Sequence, residues 1–166
     1  MSEMEGPALR RKKWDERFLE MAELVAGWSR DPSTKCGCVI VRPDRTIAAT
    51  GYNGFVRGCP VREDEVERDE KLSRVVHAET NALLAAKEPV EGYLAYVYPF
   101  LPCDRCAVNL IQAGIARVVT VTGLVDIAED RWAAAFGKTK RYFEESGVSL
   151  TIYSWKTREI VYEVFR

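Results

Sequence analysis

Five short runs rich in β-branched and aromatic residues constrain this chain more than any other feature: CGCVIV (36–41), TIAATGY (46–52), LAYVY (94–98), ARVVTVTG (116–123) and VSLTIYSW (148–155). Only a Pro43-Asp44 turn signal separates the first two, which predicts a hairpin. Helical stretches separate the others. A first helix is expected over 14–29, where Trp14, Phe18, Met21, Val25 and Trp28 recur at steps of three and four residues and Asp31-Pro32 ends the pattern. Further helices are expected over 77–87 ahead of Pro89, over 103–112 closed by Gly114, and over 126–147 with Gly137 as a candidate break. A hairpin followed by alternating helices and strands predicts an α/β fold of three α/β/α layers, a mixed sheet of five strands with helices on both faces.

The remaining segments read as periphery. Residues 1–13 are expected to be a polar, frayed leader ahead of one domain over 14–154. The run REDEVERDEK (62–71) predicts a solvated loop or a short exposed helix within 55–74. Residues 155–166 form a C-terminal arm of ambiguous structure, REIVYEVFR, expected to dock on a partner subunit. The net charge of −1 argues against a protein built to grip nucleic-acid backbone. No apolar run approaches the ~20 residues of a membrane span. Five cysteines, an odd number, and no apolar segment after the basic N-terminal residues point to a reduced, cytoplasmic protein rather than a disulfide scaffold.

Chemistry concentrates in two places. His77 is the only histidine of the chain, and Glu79 follows two residues later in VVHAETNALL (75–84). Cys103 and Cys106 stand at i and i+3 in PCDRC, after a proline suited to a helix start, so both sulfurs lie on one helix face. A helix N-terminus favours thiolate. Alone, this pair reads equally as half a zinc site, a redox pair or two buried cysteines. His77 at the start of its own helix supplies a third ligand, and three protein ligands leave one position open, the catalytic pattern. Cys36 and Cys38 share a strand face and read as small core residues. Cys59 lies in a polar loop, as a free thiol or a ligand of a second metal. Glu79 is two residues from His77, which in a helix interior would point it nearly the opposite way. At the first turn both can face one cavity, where Glu79 can move a proton between water and substrate.

The pattern H-x-E…P-C-x-x-C is the zinc-deaminase signature. With DPSTKCGCVIV, GYNGF followed by RG, VVHAETNAL and PCDRCAVNLIQAGIARVV, which together span roughly 14–125, the sequence resembles the deoxycytidylate branch of the cytidine deaminase superfamily. The resemblance implies a five-stranded cytidine-deaminase-like sheet, one zinc per subunit, a homo-oligomer (dimer or hexamer), and hydrolysis of dCMP to dUMP. It implies His77, Cys103 and Cys106 as ligands and Glu79 as proton shuttle. It implies a sugar or base contact from Asn53, a backbone amide from Ala78 near the pyrimidine, and phosphate contacts from Arg30, Lys35 and Arg57. Arg131 and Trp132 also stand where phosphate-side contacts would form. Two other readings stay open: a zinc deaminase of another base, nucleoside or tRNA, and a non-catalytic zinc module used in assembly.

Overall fold

A computed structural model describes residues 6–124 and 129–166; the side chains of 129–132 lie outside the described set, and with them Arg131 and Trp132. In chain order the elements are α1 (Pro7–Ala26), β1 (Gly37–Val41), β2 (Ile47–Tyr52), β3 (Gly54–Phe55), α2 (Arg68–Arg74), β4 (Val75–Val76) and α3 (Ala78–Ala85). Then follow β5 (Leu94–Tyr98), α4 (Asp104–Gln112), β6 (Arg117–Thr122), α5 (Glu129–Glu145), β7 (Ser149–Ser154) and β8 (Ile160–Val164).

The sheet is mixed, as expected, in the order β2-β1-β5-β6-β7-β8. β1 pairs antiparallel with β2 and β5, β5–β6–β7 are parallel, and β8 returns antiparallel to β7. Alternation along each strand sorts side chains onto two faces. Cys38, Ile40, Val118, Leu150 and Ile152 join one core with Ala82 of α3, Leu110 of α4 and Phe143 of α5. Val39, Val41, Val119, Val121 and Tyr153 join a second core with Phe18, Leu19 and Val25 of α1. The hairpin turn is closed by the Arg45 amide donating to the Arg42 carbonyl (2.9 Å) and by Asp44 Oδ1 accepting from the Thr46 amide (2.9 Å). Among the described residues no helix is long and apolar enough to cross a membrane.

Four expectations are corrected. The sheet has six strands, not five, because REIVYEVFR lies against β7 of its own chain, so this arm belongs to the domain's own sheet. The first helix starts at Pro7 rather than Trp14. Its basic residues meet acids of β8 and the turn before it, Arg11 with Glu163 (3.1 Å) and Lys12 with Glu159 (3.0 Å), so the two terminal segments lie side by side. Helix α5 runs through Gly137 without a break. The charged run is not wholly solvated: it includes part of α2, and Lys71 is buried against Asp31 at 2.7 Å.

A buried carboxylate ties α1 to the sheet. Asp15 is 1% exposed and accepts a forked pair from Arg117 Nη1 and Nη2 (2.9 and 2.7 Å), plus the hydroxyls of Tyr96 (2.9 Å) and Tyr153 (2.8 Å). One helical residue is thereby bonded to β5, β6 and β7.

Gly51 is where α3 meets the sheet. A Cβ there would lie 2.3 Å from the Ala82 amide nitrogen and 2.4 Å from the Ala78 carbonyl oxygen. Gly51→Ala is therefore expected to push α3 outward, at a cost of about 1–3 kcal/mol. Because Ala78 directly follows His77, bound metal should fall as well. Thermal melting and metal analysis check this, and a variant indistinguishable from wild type in both would show slack under α3.

Candidate metal centre

The ends of α3 and α4 build the site. His77 is the N-cap of α3 (φ −70°, ψ 156°) and Cys103 the N-cap of α4 (φ −66°, ψ 166°). Both are extended residues just outside their helices, so their side chains turn away from the helical spiral. The difficulty of His77 and Glu79 sharing a cavity two residues apart is thereby resolved: only Glu79 is helical. His77 Nδ1 lies 3.5 Å from Cys103 Sγ and 3.3 Å from Cys106 Sγ, and the three donor atoms fall within 4.8 Å of one another. The Cys106 amide donates to Cys103 Sγ at 3.5 Å, one of the free donors of the α4 start.

This donor set fits zinc. A tetrahedral ion with Zn–N and Zn–S bonds of about 2.0–2.3 Å separates nitrogen from sulfur by about 3.6 Å. The three donors are also electrostatically coupled. Cys103 is held below the ordinary thiol range, first by the Cys106 thiol and then by His77. Cys106 is pushed up, chiefly by Cys103. Hydrogen bonding to Cys103 raises His77 against the opposing effect of burial. A divalent cation among these atoms would relieve the repulsion between two thiolates.

Glu79 is 6% exposed and lies close enough to His77 and Cys106 to influence the titration of both. Burial raises its carboxyl above the usual carboxylate range. His77, Cys103 and Glu79 all line one cavity of about 650 Å³. Ala78 also lines it, and as the first residue of α3 it carries one of the unpaired amides of a helix start.

Asn53 reaches the cavity wall with most of its amide engaged. Its Oδ1 accepts from the Cys36 amide (2.8 Å) and its Nδ2 donates to the Thr34 carbonyl (2.8 Å). It pins the 31–36 loop and keeps one N–H. Asp31 shapes the same loop by accepting from the Ser33 and Thr34 amides (2.7 and 3.0 Å). Burial alone would raise Asp31, but Lys71 and those amides outweigh it and hold the carboxylate below its ordinary value.

Arg30 and Lys35 are exposed and stand outside the lining, while Arg57 lines a separate cavity between β2 and α3. The lysine and arginine that do line the site cavity, Lys71 and Arg68, come from the run read as solvated. The available signal was their i, i+3 spacing, which puts both on one helix face. Cys38 is core, as expected; Cys36 is half-buried and reaches the cavity, where burial pushes its thiol up.

Residues 12–122 match the family described as the cytidine and deoxycytidylate deaminase zinc-binding region. The chain belongs to this deaminase family. Among the family's members, an uncharacterized deaminase of Aliivibrio fischeri is 40% identical over 139 residues, covering 84% of this chain and 92% of that one. The deoxycytidylate deaminase of Mus musculus is 35% identical over 156 residues, covering 90% and 84%. The crystal structure of dCMP deaminase from the cyanophage S-TIM5, in complex with dCMP and dUMP, superposes with a TM-score of 0.66 at 23% identity, covering 89% of this chain and 98% of that one. That last likeness is one of fold. Zinc is the metal of the deaminase family, and His77, Cys103 and Cys106 are positioned to hold it.

Proposed function

We propose that this protein is a zinc-dependent deaminase that hydrolyses dCMP to dUMP and ammonia. One observation carries the reading: a three-ligand cluster and a buried, non-ligating carboxylate open on the same cavity. A structural zinc site closes its fourth position with protein; here the neighbouring acid is Glu79, in place to move a proton. The cavity volume suits a nucleotide. The relatives named deoxycytidylate deaminase support dCMP over other amines.

His77, Cys103 and Cys106 would hold the zinc, which when bound supplies Lewis-acid activation of water. Glu79 accepts the proton that the attacking water gives up and delivers it to the ring nitrogen next to C4. It then takes the proton of the new C4 hydroxyl and passes it to the exocyclic amine, so that the C4–N bond breaks, C4=O forms and ammonia leaves. The Ala78 amide and the remaining Asn53 N–H orient the pyrimidine or its sugar. Burial of Glu79 helps it, because a carboxyl raised toward neutral pH is a better proton carrier. We place the enzyme in the reducing cytoplasm, supported by five free thiols, and as a homo-oligomer, dimer or hexamer, which light scattering would size.

Metal analysis combined with ammonia release from cytosine, deoxycytidine, dCMP and dCTP tests the reading. The expected result is one zinc per chain and fastest turnover of dCMP. Equal rates for deoxycytidine and dCMP would remove the phosphate from recognition. Bound zinc with no ammonia from any substrate would leave a non-catalytic assembly module.

A further inference from the structure

A phosphate entering this cavity needs a cation that is not already spoken for. Besides His77, Arg68 and Lys71 are the basic residues in the lining, one turn apart on α2. Lys71 is committed: its ammonium lies 2.7 Å from Asp31 and 3.3 Å from Ser33 Oγ, with its side chain 11% exposed. Of the acids nearby, Asp64 is held by Arg62 (3.1 and 3.2 Å), and Glu63 accepts from the Phe55 amide through Oε1 (3.2 Å) while its buried Oε2 has no partner among the described residues. Arg68 is exposed and makes no ion pair or hydrogen bond among the described residues.

We propose that Arg68 binds the 5′-phosphate of the nucleotide and so sets the preference for a monophosphate over a nucleoside, an assignment that rests on the nucleotide reading above. The guanidinium presents a planar fork of donors that matches two phosphate oxygens, which a point charge cannot do. Its backbone is anchored, because the buried Lys71–Asp31 pair one turn away clamps α2 to the 31–36 loop of the same cavity. Its side chain is left for whatever enters. Arg30, Lys35 and Arg57 do not line the cavity. Helix α2 therefore does two jobs with two cations: Lys71 fixes the wall and Arg68 reads the ligand.

The test uses the full zinc-loaded chain. The kcat/KM for dCMP and for deoxycytidine is measured on Arg68→Gln, Arg68→Lys and Arg68→Glu, with dUMP binding followed by calorimetry. Arg68→Gln should lose about 10–100-fold toward dCMP, weaken dUMP by a similar factor, and leave deoxycytidine within about twofold. Arg68→Lys should recover part of the loss and Arg68→Glu should deepen it. Melting should be unchanged in all three, since Arg68 has no partner among the described residues to lose. Equal losses for dCMP and deoxycytidine, or undiminished dCMP turnover, overturn the assignment. A wild type that prefers dCMP while Arg68→Gln prefers it equally ends the Arg68 assignment alone. A wild type that releases no ammonia from dCMP ends the nucleotide reading and this assignment with it.

Discussion

Glu79→Gln is expected to keep one zinc per chain and to lose turnover of dCMP by about 10²–10⁴-fold. The two halves of that result follow from geometry. The ligand atoms are His77 Nδ1 and the sulfurs of Cys103 and Cys106, and the carboxylate is not among them. Removing its charge therefore leaves the metal cluster intact. The amide of glutamine has nearly the same shape and can keep hydrogen bonds at a 6% exposed position, so α3 should stay folded. What the amide cannot do is accept a proton and release it again. Metal analysis, ammonia release and dUMP binding on the same preparation separate the cases. Turnover within about tenfold of wild type would remove Glu79 from proton transfer, since a positioned general base contributes at least ~10²-fold. Zinc lost together with activity would instead make Glu79 a part of the metal site.

Asp15→Ala should be the most destabilising single change on the opposite face of the sheet. It leaves the Arg117 guanidinium, with its side chain 11% exposed, without its carboxylate, and it strips the acceptor from two buried tyrosine hydroxyls. Breaking a buried ion pair by removing one partner costs about 3–5 kcal/mol. For a domain of this size that corresponds to a melting temperature lower by about 10 °C. A second variant distinguishes lost charge compensation from lost packing. Asp15→Leu combined with Arg117→Met removes both charges, and should recover a good part of the loss, because well-packed apolar replacements of a buried pair are often neutral or better. Below the melting transition, kcat for either variant should match wild type, since Asp15 lies in the α1 face and the metal cluster at the starts of α3 and α4. A double variant as unstable as Asp15→Ala, or an Asp15→Ala protein that melts with wild type, would show that the pair does not hold the two layers together.

The metal ligands were legible because their chemistry is rare and their spacing local. A lone histidine, a glutamate two residues on and two cysteines three apart carry their meaning in the sequence itself. The strands β1, β5, β6 and β7 were legible because strands buried on both faces read as continuous β-branched and aromatic runs, and β2 because a turn signal sets it beside β1. Which cations line the site cavity was not legible. Arg30, Lys35, Arg57 and Arg68 are all exposed-type charges in the sequence, and which of them faces that cavity depends on how the 55–74 segment folds back on the 31–36 loop. Strand β8 was missed because an edge strand with only two half-buried positions shows weak alternation.

The amino-acid sequence by itself determined the alternation of helices and strands, the donor atoms for a metal and the carboxylate beside them, because each depends on residue type and short spacing. Only the tertiary structure decided that His77 Nδ1 meets both sulfurs, that Asp15 pairs with Arg117 across 102 positions, and that Lys71 is buried while Arg68 is exposed. A charged side chain leaves the same mark in a sequence whether it ends in water or against a partner. The difference arises only when distant segments close on one another and exclude solvent between them.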